Sequence, residues 1–192
     1  MKQIVITSWL FLLIALAVIL IATAACVLRN RPCRRIIARE KIRNGLFWFY
    51  VCIIISFTLL PVSYPAAINF EPEFNLNVLS LLNVFRSRAA LITNAQNVIL
   101  FMPLTILGYL TGYKVMKNAS SAFVVSLIFS LIIEVMQGAE CVFHLVEDFV
   151  PVVDINDVIC NTLGGILGYV VIWFYKKEHL ITENEEGAEE QI

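Results

Sequence analysis

Five long apolar runs separated by short polar blocks make up most of the chain. Ile4 to Leu28 carries no Asp, Glu, Lys or Arg. It is long enough to cross a hydrocarbon layer of about 30 Å at about 1.5 Å per residue. Gly45 to about Ser63 forms a second run, with Trp48 and Tyr50 at one end, where amphipathic aromatic rings favour the membrane interface. Ala95 to Tyr113 forms a third, kinked at Pro103, which lacks an N–H and crowds the carbonyl of Ile99. Ala119 to Gly138 is the fourth, and Val152 to Tyr175 contains the fifth. The pattern predicts an all-α, polytopic membrane helix bundle of about five transmembrane helices.

The polar blocks give this bundle a direction. Arg29, Arg31, Arg34, Arg35, Arg39, Lys41 and Arg43 follow the first run, Lys114 and Lys117 the third, and Lys176 and Lys177 the fifth. The positive-inside rule assigns those three places to the cytoplasm and expects the N-terminus outside and the C-terminus cytoplasmic. Of the 14 lysines and arginines only Lys2, Arg86 and Arg88 then lie outside. Residues 1–63 thus hold helices one and two with the basic loop 29–43, and 64–93 is an external loop broken at Pro65 and Pro72. Leu76, Leu79, Leu82 and Phe85 recur there at near-helical spacing, read equally well as a short interfacial helix or as a loop packing its leucines on the bundle. Residues 94–177 form the core of helices three to five. Residues 178–192 carry Glu183, Glu185, Glu186, Glu189 and Glu190 without an aromatic, the composition of a disordered cytoplasmic tail.

Composition agrees with the pattern: 59% of residues are hydrophobic and 15% charged, and mean hydropathy is +0.81. A soluble domain carries about 25% charged residues. A net charge of −1 gives no reason to expect a nucleic-acid partner. The five cysteines stand singly, with no disulfide framework or zinc spacing. Thr23-Ala24-Ala25-Cys26 has the look of a lipoprotein cleavage site, but the apolar run is too long and its positive block follows it, where a signal peptide has it first. No Ser-His-Asp arrangement and no phosphate-cradling glycine loop is present.

Candidate chemistry lies in polar residues within the apolar runs. Glu134 and Gln137 fall near the outer end of helix four, and Asp154, Asp157 and Asn161 share one stripe at the outer start of helix five. Asn97 occupies the first turns of helix three. Six polar groups at one end of three helices are costly against lipid, so they are expected to converge on the bundle interior or a cavity. In a purely structural reading Asp154 and Asp157 cap helix five, and Asn97 and Gln137 are interhelical hydrogen-bond glue. Gly108 and Gly112 on helix three, and Gly164, Gly165 and Gly168 on helix five, are candidate packing surfaces that let these helices approach closely. Their side-by-side N-termini would then favour an anionic headgroup.

NVILFMP (97–103), EVMQ (134–137) and DINDVICNTLGGILGY (154–169), in that order, resemble the VanZ-like family of bacterial membrane proteins. LLNVFRS (81–87) is similar to an external segment of that family, with Asn83 and Val84 where Ile and Pro are usual. The resemblance implies a multi-pass protein of the bacterial cell membrane. It also implies a link to low-level resistance to lipoglycopeptides such as teicoplanin, or to cell-envelope homeostasis. Its matching positions are Asn97, Phe101, Pro103, Glu134, Gln137, Asp154, Asp157, Asn161 and Gly164. Thr105 stands where the family usually has glycine, and Pro151 where it often has arginine.

Without that arginine, three carboxylates need a neutralising partner. Arg86 or Arg88 is the expected source and His144 a weaker one. A hard divalent cation such as Mg²⁺ or Ca²⁺ is the lesser alternative, and no metal or other cofactor is assigned. Two functions compete. One is a binding protein whose outer-leaflet polar pocket, with Asn97, Gln137, Asn161, Arg86 and Arg88 as binding residues, engages a membrane lipid, a lipid-linked envelope precursor or a lipoglycopeptide. The other is a membrane enzyme acting on a lipid-linked precursor, with Glu134, Asp154 or Asp157 as general acid or base. A transporter ranks last, since no inverted repeat is visible, and a homo-oligomer is compatible with every reading.

Overall fold

A computed structural model describes residues 4–29, 34–64, 73–78, 87–113, 116, 118–145 and 152–189. Among the described residues five helices carry the fold: α1 (Ser8–Arg29), α2 (Arg34–Leu59), α3 (Arg88–Leu110), α4 (Ala119–Val142) and α5 (Ile155–Glu189). Each contains a segment long and apolar enough to cross a membrane, from Ser8–Cys26 in α1 to Ile155–Glu178 in α5. Their outer faces carry bare hydrocarbon, with Trp9 79%, Phe57 74% and Val135 70% exposed. Such a surface is stable only against lipid or another apolar partner.

The helices are longer than the apolar runs, because the turns that leave the hydrocarbon are polar and carry no hydropathy signal. Arg34 to Asn44, expected as loop, winds into the start of α2. α3 begins at Arg88, seven residues before the expected start, where Ser87 Oγ accepts the Ala90 N–H at 3.4 Å and caps the helix. Asn118 caps α4 in the same way, its Oδ1 accepting Ser121 N–H at 2.7 Å. α4 runs past Gly138 to Val142, so Glu140, expected in an external loop, lies inside the helix and is buried. α5 continues as helix to Glu189, through the acidic stretch expected as a disordered tail; glutamates are good helix formers. The proposed interfacial helix falls largely on 79–86, outside the described residues.

Among the described residues four three-residue strands, with no forerunner in the hydropathy pattern, tie the segments at one end of the bundle. β1 (Ile4–Ile6) pairs antiparallel with β2 (Val62–Tyr64), and β3 (Glu73–Asn75) pairs in parallel with β4 (Val152–Asp154). The Ser63 N–H also donates to the Leu145 carbonyl at 2.8 Å, joining the exits of α2 and α4.

The apolar core sits where α2, α3 and α4 meet, at Phe47, Val51, Ile54, Phe101, Leu104 and Ile133. α3 and α5 pack most closely. A Cβ on Gly164 would strike the Val98 carbonyl and one on Gly168 the Met102 carbonyl, so the two main chains meet with nothing between them. Gly108 faces Met116, and Gly112, at φ +83° beyond the end of α3, is a turn glycine with open space where a Cβ would stand.

Candidate functional site

The carboxylates come together where α4 ends and α5 begins. Glu134 lies eight residues inside the end of α4, about 12 Å along the axis, so it is deeper than a last-turn position and is only 4% exposed. Its Oε2 accepts the main-chain N–H of Asp154 at 2.9 Å. Asp154 precedes the first residue of α5, and its Oδ1 accepts the Asn156 N–H at 2.8 Å as an N-cap does. The capping role considered for Asp154 is therefore real, but it uses only one oxygen. The other accepts Asn75 Nδ2 at 3.0 Å, because the parallel pairing of β3 and β4 sets Asn75 opposite Asp154.

Asp157 stands one turn deeper, where Asn97 Nδ2 of α3 donates to its Oδ1 at 2.7 Å. Asp154 and Asp157 both bear electrostatically on Glu134. Among the described residues, the donors that meet these carboxylates are neutral amides and main-chain N–H groups. Arg88 begins α3 and is exposed, about 13 Å up the helix from Asn97, and His144 is an exposed residue at φ 52° just past α4. Arg86 and Pro151 lie outside the described residues. Among the described residues no three His, Cys, Asp or Glu side chains are grouped to hold a metal ion.

The remaining polar residues separate. Gln137 turns to α2, its Nε2 donating to the Thr58 carbonyl at 3.0 Å, and its Oε1 is buried with no hydrogen-bond partner. Asn161, a further turn into the bundle, donates to Ser130 Oγ at 2.8 Å, while its Oδ1 lacks a partner. Below it Thr105 and Ser126 are fully buried against Gly165, whose missing side chain makes room for Ser126 Oγ. Thr105, where the resemblance led us to expect glycine, fits because α5 supplies glycines opposite it. The carboxylate cluster therefore continues inward as a seam of amides and hydroxyls between α3, α4 and α5.

Sequence reasoning missed Asn75, Asn156, Thr58 and the serines of α4. Small hydroxyl residues do not interrupt an apolar run, and Asn75 depends on a strand pairing between distant segments.

Beside the cluster, on the α2 side of α3, a cleft of about 490 Å³ is lined by Tyr50, Ile53, Phe57, Thr58, Gln96, Asn97, Ile99, Leu100 and Pro103. Pro103 cannot donate to the Ile99 carbonyl, and across the cleft the Tyr50 hydroxyl donates to the adjacent Leu100 carbonyl at 2.8 Å. Asn97 belongs to both the cleft and the carboxylate cluster.

Neither the curated proteins nor the solved structures yield a match to this chain. A family model described as VanZ/LLP1 matches residues 47–176, which include α3, α4, the second half of α2 and every carboxylate of the cluster.

Proposed function

The chain belongs to the VanZ/LLP1 family and is a membrane protein with five membrane-crossing helices, and we propose that it binds a lipid-bearing ligand of the cell envelope at the carboxylate end of its bundle. In this reading that end faces the outside of a bacterial cell membrane. Binding there contributes to envelope homeostasis or to low-level protection against lipoglycopeptides such as teicoplanin.

The observation that carries the proposal is the placing of Glu134. A carboxyl group costs about 2.5–3.5 kcal/mol at the centre of a membrane span, yet Glu134 is buried well inside α4 with Asp157 and Asp154 beside it. One capping residue would have sufficed to start α5. The additional acceptors suit a ligand that brings hydrogen-bond donors.

Glu134, Asp154 and Asp157 each have an oxygen engaged by a fixed donor from the protein, which holds the carboxylates in place as a rigid recognition surface requires.

Susceptibility of a Gram-positive host to teicoplanin and to vancomycin, with wild type or Glu134→Gln at matched membrane levels, tests the proposal. The expected result is protection against teicoplanin alone, lost in the variant. Full protection by Glu134→Gln would remove the carboxylate cluster from the function.

A further inference from the structure

A second cavity, of about 370 Å³, lies between α1 and α2, lined by Thr23 and Cys26 of α1 and by Lys41, Asn44, Gly45 and Trp48 of α2. It is at the basic end of the bundle, Lys41 being about 25 Å along α2 from Thr58 at about 1.5 Å per residue. Gly45 meets Ile19 and Thr23, so Lys41 and Asn44 stand on the basic side of that contact and Trp48 on the side of the bilayer centre. α1 and the first half of α2 precede residue 47, so Trp48 alone of these lining residues falls within the family match.

Lys41 is a half-buried cation inside the membrane-crossing segment Ala38–Leu59. A lysine there is costly unless an anion or water meets its charge. Among the described residues no Asp or Glu lines the cavity. The surroundings add positive charge, since residues 29–43 hold Arg29, Arg31, Arg34, Arg35, Arg39, Lys41 and Arg43 against Glu40 as their one acid. Asn44 and Thr23 bring an amide and a hydroxyl to the same cavity, neutral donors that complete the hydrogen bonds of a phosphate. The position selects the source of the anion. Every lining residue belongs to the apolar segments Ser8–Cys26 and Ala38–Leu59. Trp48 is 53% exposed, and the neighbouring Ile42 and Leu46 are each 54% exposed, so the cavity is flanked by bare hydrocarbon. A phospholipid is already present at that depth, whereas a soluble anion would have to enter the membrane.

We propose that this cavity binds the phosphate head group of an anionic phospholipid, with Lys41 as the charged donor and Asn44 and Thr23 as neutral ones. The site is separate from the carboxylate cluster and independent of the ligand proposed there. By bridging Thr23 and Lys41 the head group holds α1 against α2 at the membrane surface.

The test uses the full chain with Trp48 as its one tryptophan, by Trp9→Phe and Trp173→Phe, in phosphatidylcholine vesicles. Phosphatidylglycerol or phosphatidylcholine with brominated acyl chains is titrated in, and quenching of Trp48 reads the lipid beside the cavity. Brominated phosphatidylglycerol is expected to quench with about tenfold higher relative affinity than brominated phosphatidylcholine, the equivalent of about 1.4 kcal/mol. Lys41→Gln should remove that preference, and so should Ala22→Phe, which fills the cavity and touches no charge. Arg39→Gln and Arg43→Gln, at exposed positions outside the lining, should keep most of it. Equal quenching by the two lipids would overturn the proposal. So would equal losses for the three charge variants, the behaviour of a diffuse basic surface, or full preference in Ala22→Phe. Inorganic phosphate at matched ionic strength should leave the preference intact; its loss would overturn the lipid assignment in favour of free phosphate.

Discussion

The main-chain N–H of Asp154 donates to Glu134 Oε2 at 2.9 Å, so the start of α5 is anchored on a side chain about two turns inside α4. One hydrogen bond thereby fixes the relative height of two membrane-crossing helices. It also sets Asp157 at the level of Asn97.

Removing the acceptor should therefore cost more than removing the charge. Glu134→Ala leaves the Asp154 N–H without its partner, an expected loss of about 1–3 kcal/mol. For a chain of this size that is a fall in Tm of several degrees, at about 2–4 °C per kcal/mol. Glu134→Gln keeps an acceptor oxygen and should unfold near the wild-type temperature in the same detergent. Equal losses for both variants would show that this bond does not hold α5.

Asn97 and Asp157 should be exchangeable as a pair. Asn97→Asp sets two carboxylates against each other where the structure has a 2.7 Å amide–carboxylate bond, and should destabilise strongly. Adding Asp157→Asn restores one donor and one acceptor and should recover most of the lost Tm and expression. Additive damage in the double variant would count against a direct contact.

The glycines of α5 should respond differently to the same substitution. Gly165→Ala runs into Ser126 Oγ, a side-chain atom, so Ser126→Gly should partly rescue it. Gly164→Ala and Gly168→Ala run into the main-chain carbonyls of Val98 and Met102, where no neighbouring substitution can make room. Thermal unfolding of the single and paired variants distinguishes the two cases.

Orientation is open to a labelling experiment. In a cysteine-free background, single cysteines at Thr7 and Phe143, both exposed at the carboxylate end, should react with a membrane-impermeant maleimide on intact cells. A cysteine at Lys177, exposed at the opposite end, should react only after lysis. The reverse pattern would place the carboxylates in the cytoplasm and remove the outer-leaflet reading.

The sequence made the five spans legible because each apolar run is long and free of charge at its centre. It also singled out Glu134, Asp154, Asp157 and Asn97, since polar groups in such runs need a reason. What it hid follows from the same logic. Hydropathy is silent about helix turns outside hydrocarbon, so α3 begins at Arg88 and Glu140 lies in a helix. Periodicity is silent about three-residue strands, so Asn75 reads as loop in the sequence although it meets Asp154. GxxxG spacing marks a close approach without naming the opposing surface. Gly108 of α3 packs against Met116, and the surfaces opposite Gly164 and Gly168 are the main-chain carbonyls of Val98 and Met102.

The contact of Gly164 and Gly168 with the Val98 and Met102 carbonyls has a mechanical consequence. No rotamer change can absorb a displacement where two main chains touch, so α3 and α5 form the stiff part of the molecule. Compliance is left to α2, which meets α3 through side chains, at Phe47, Val51 and Ile54 in the core and at the Tyr50 hydroxyl beside the cleft. A load applied at the membrane surface would therefore widen the gap between α2 and α3 before it disturbed the carboxylates.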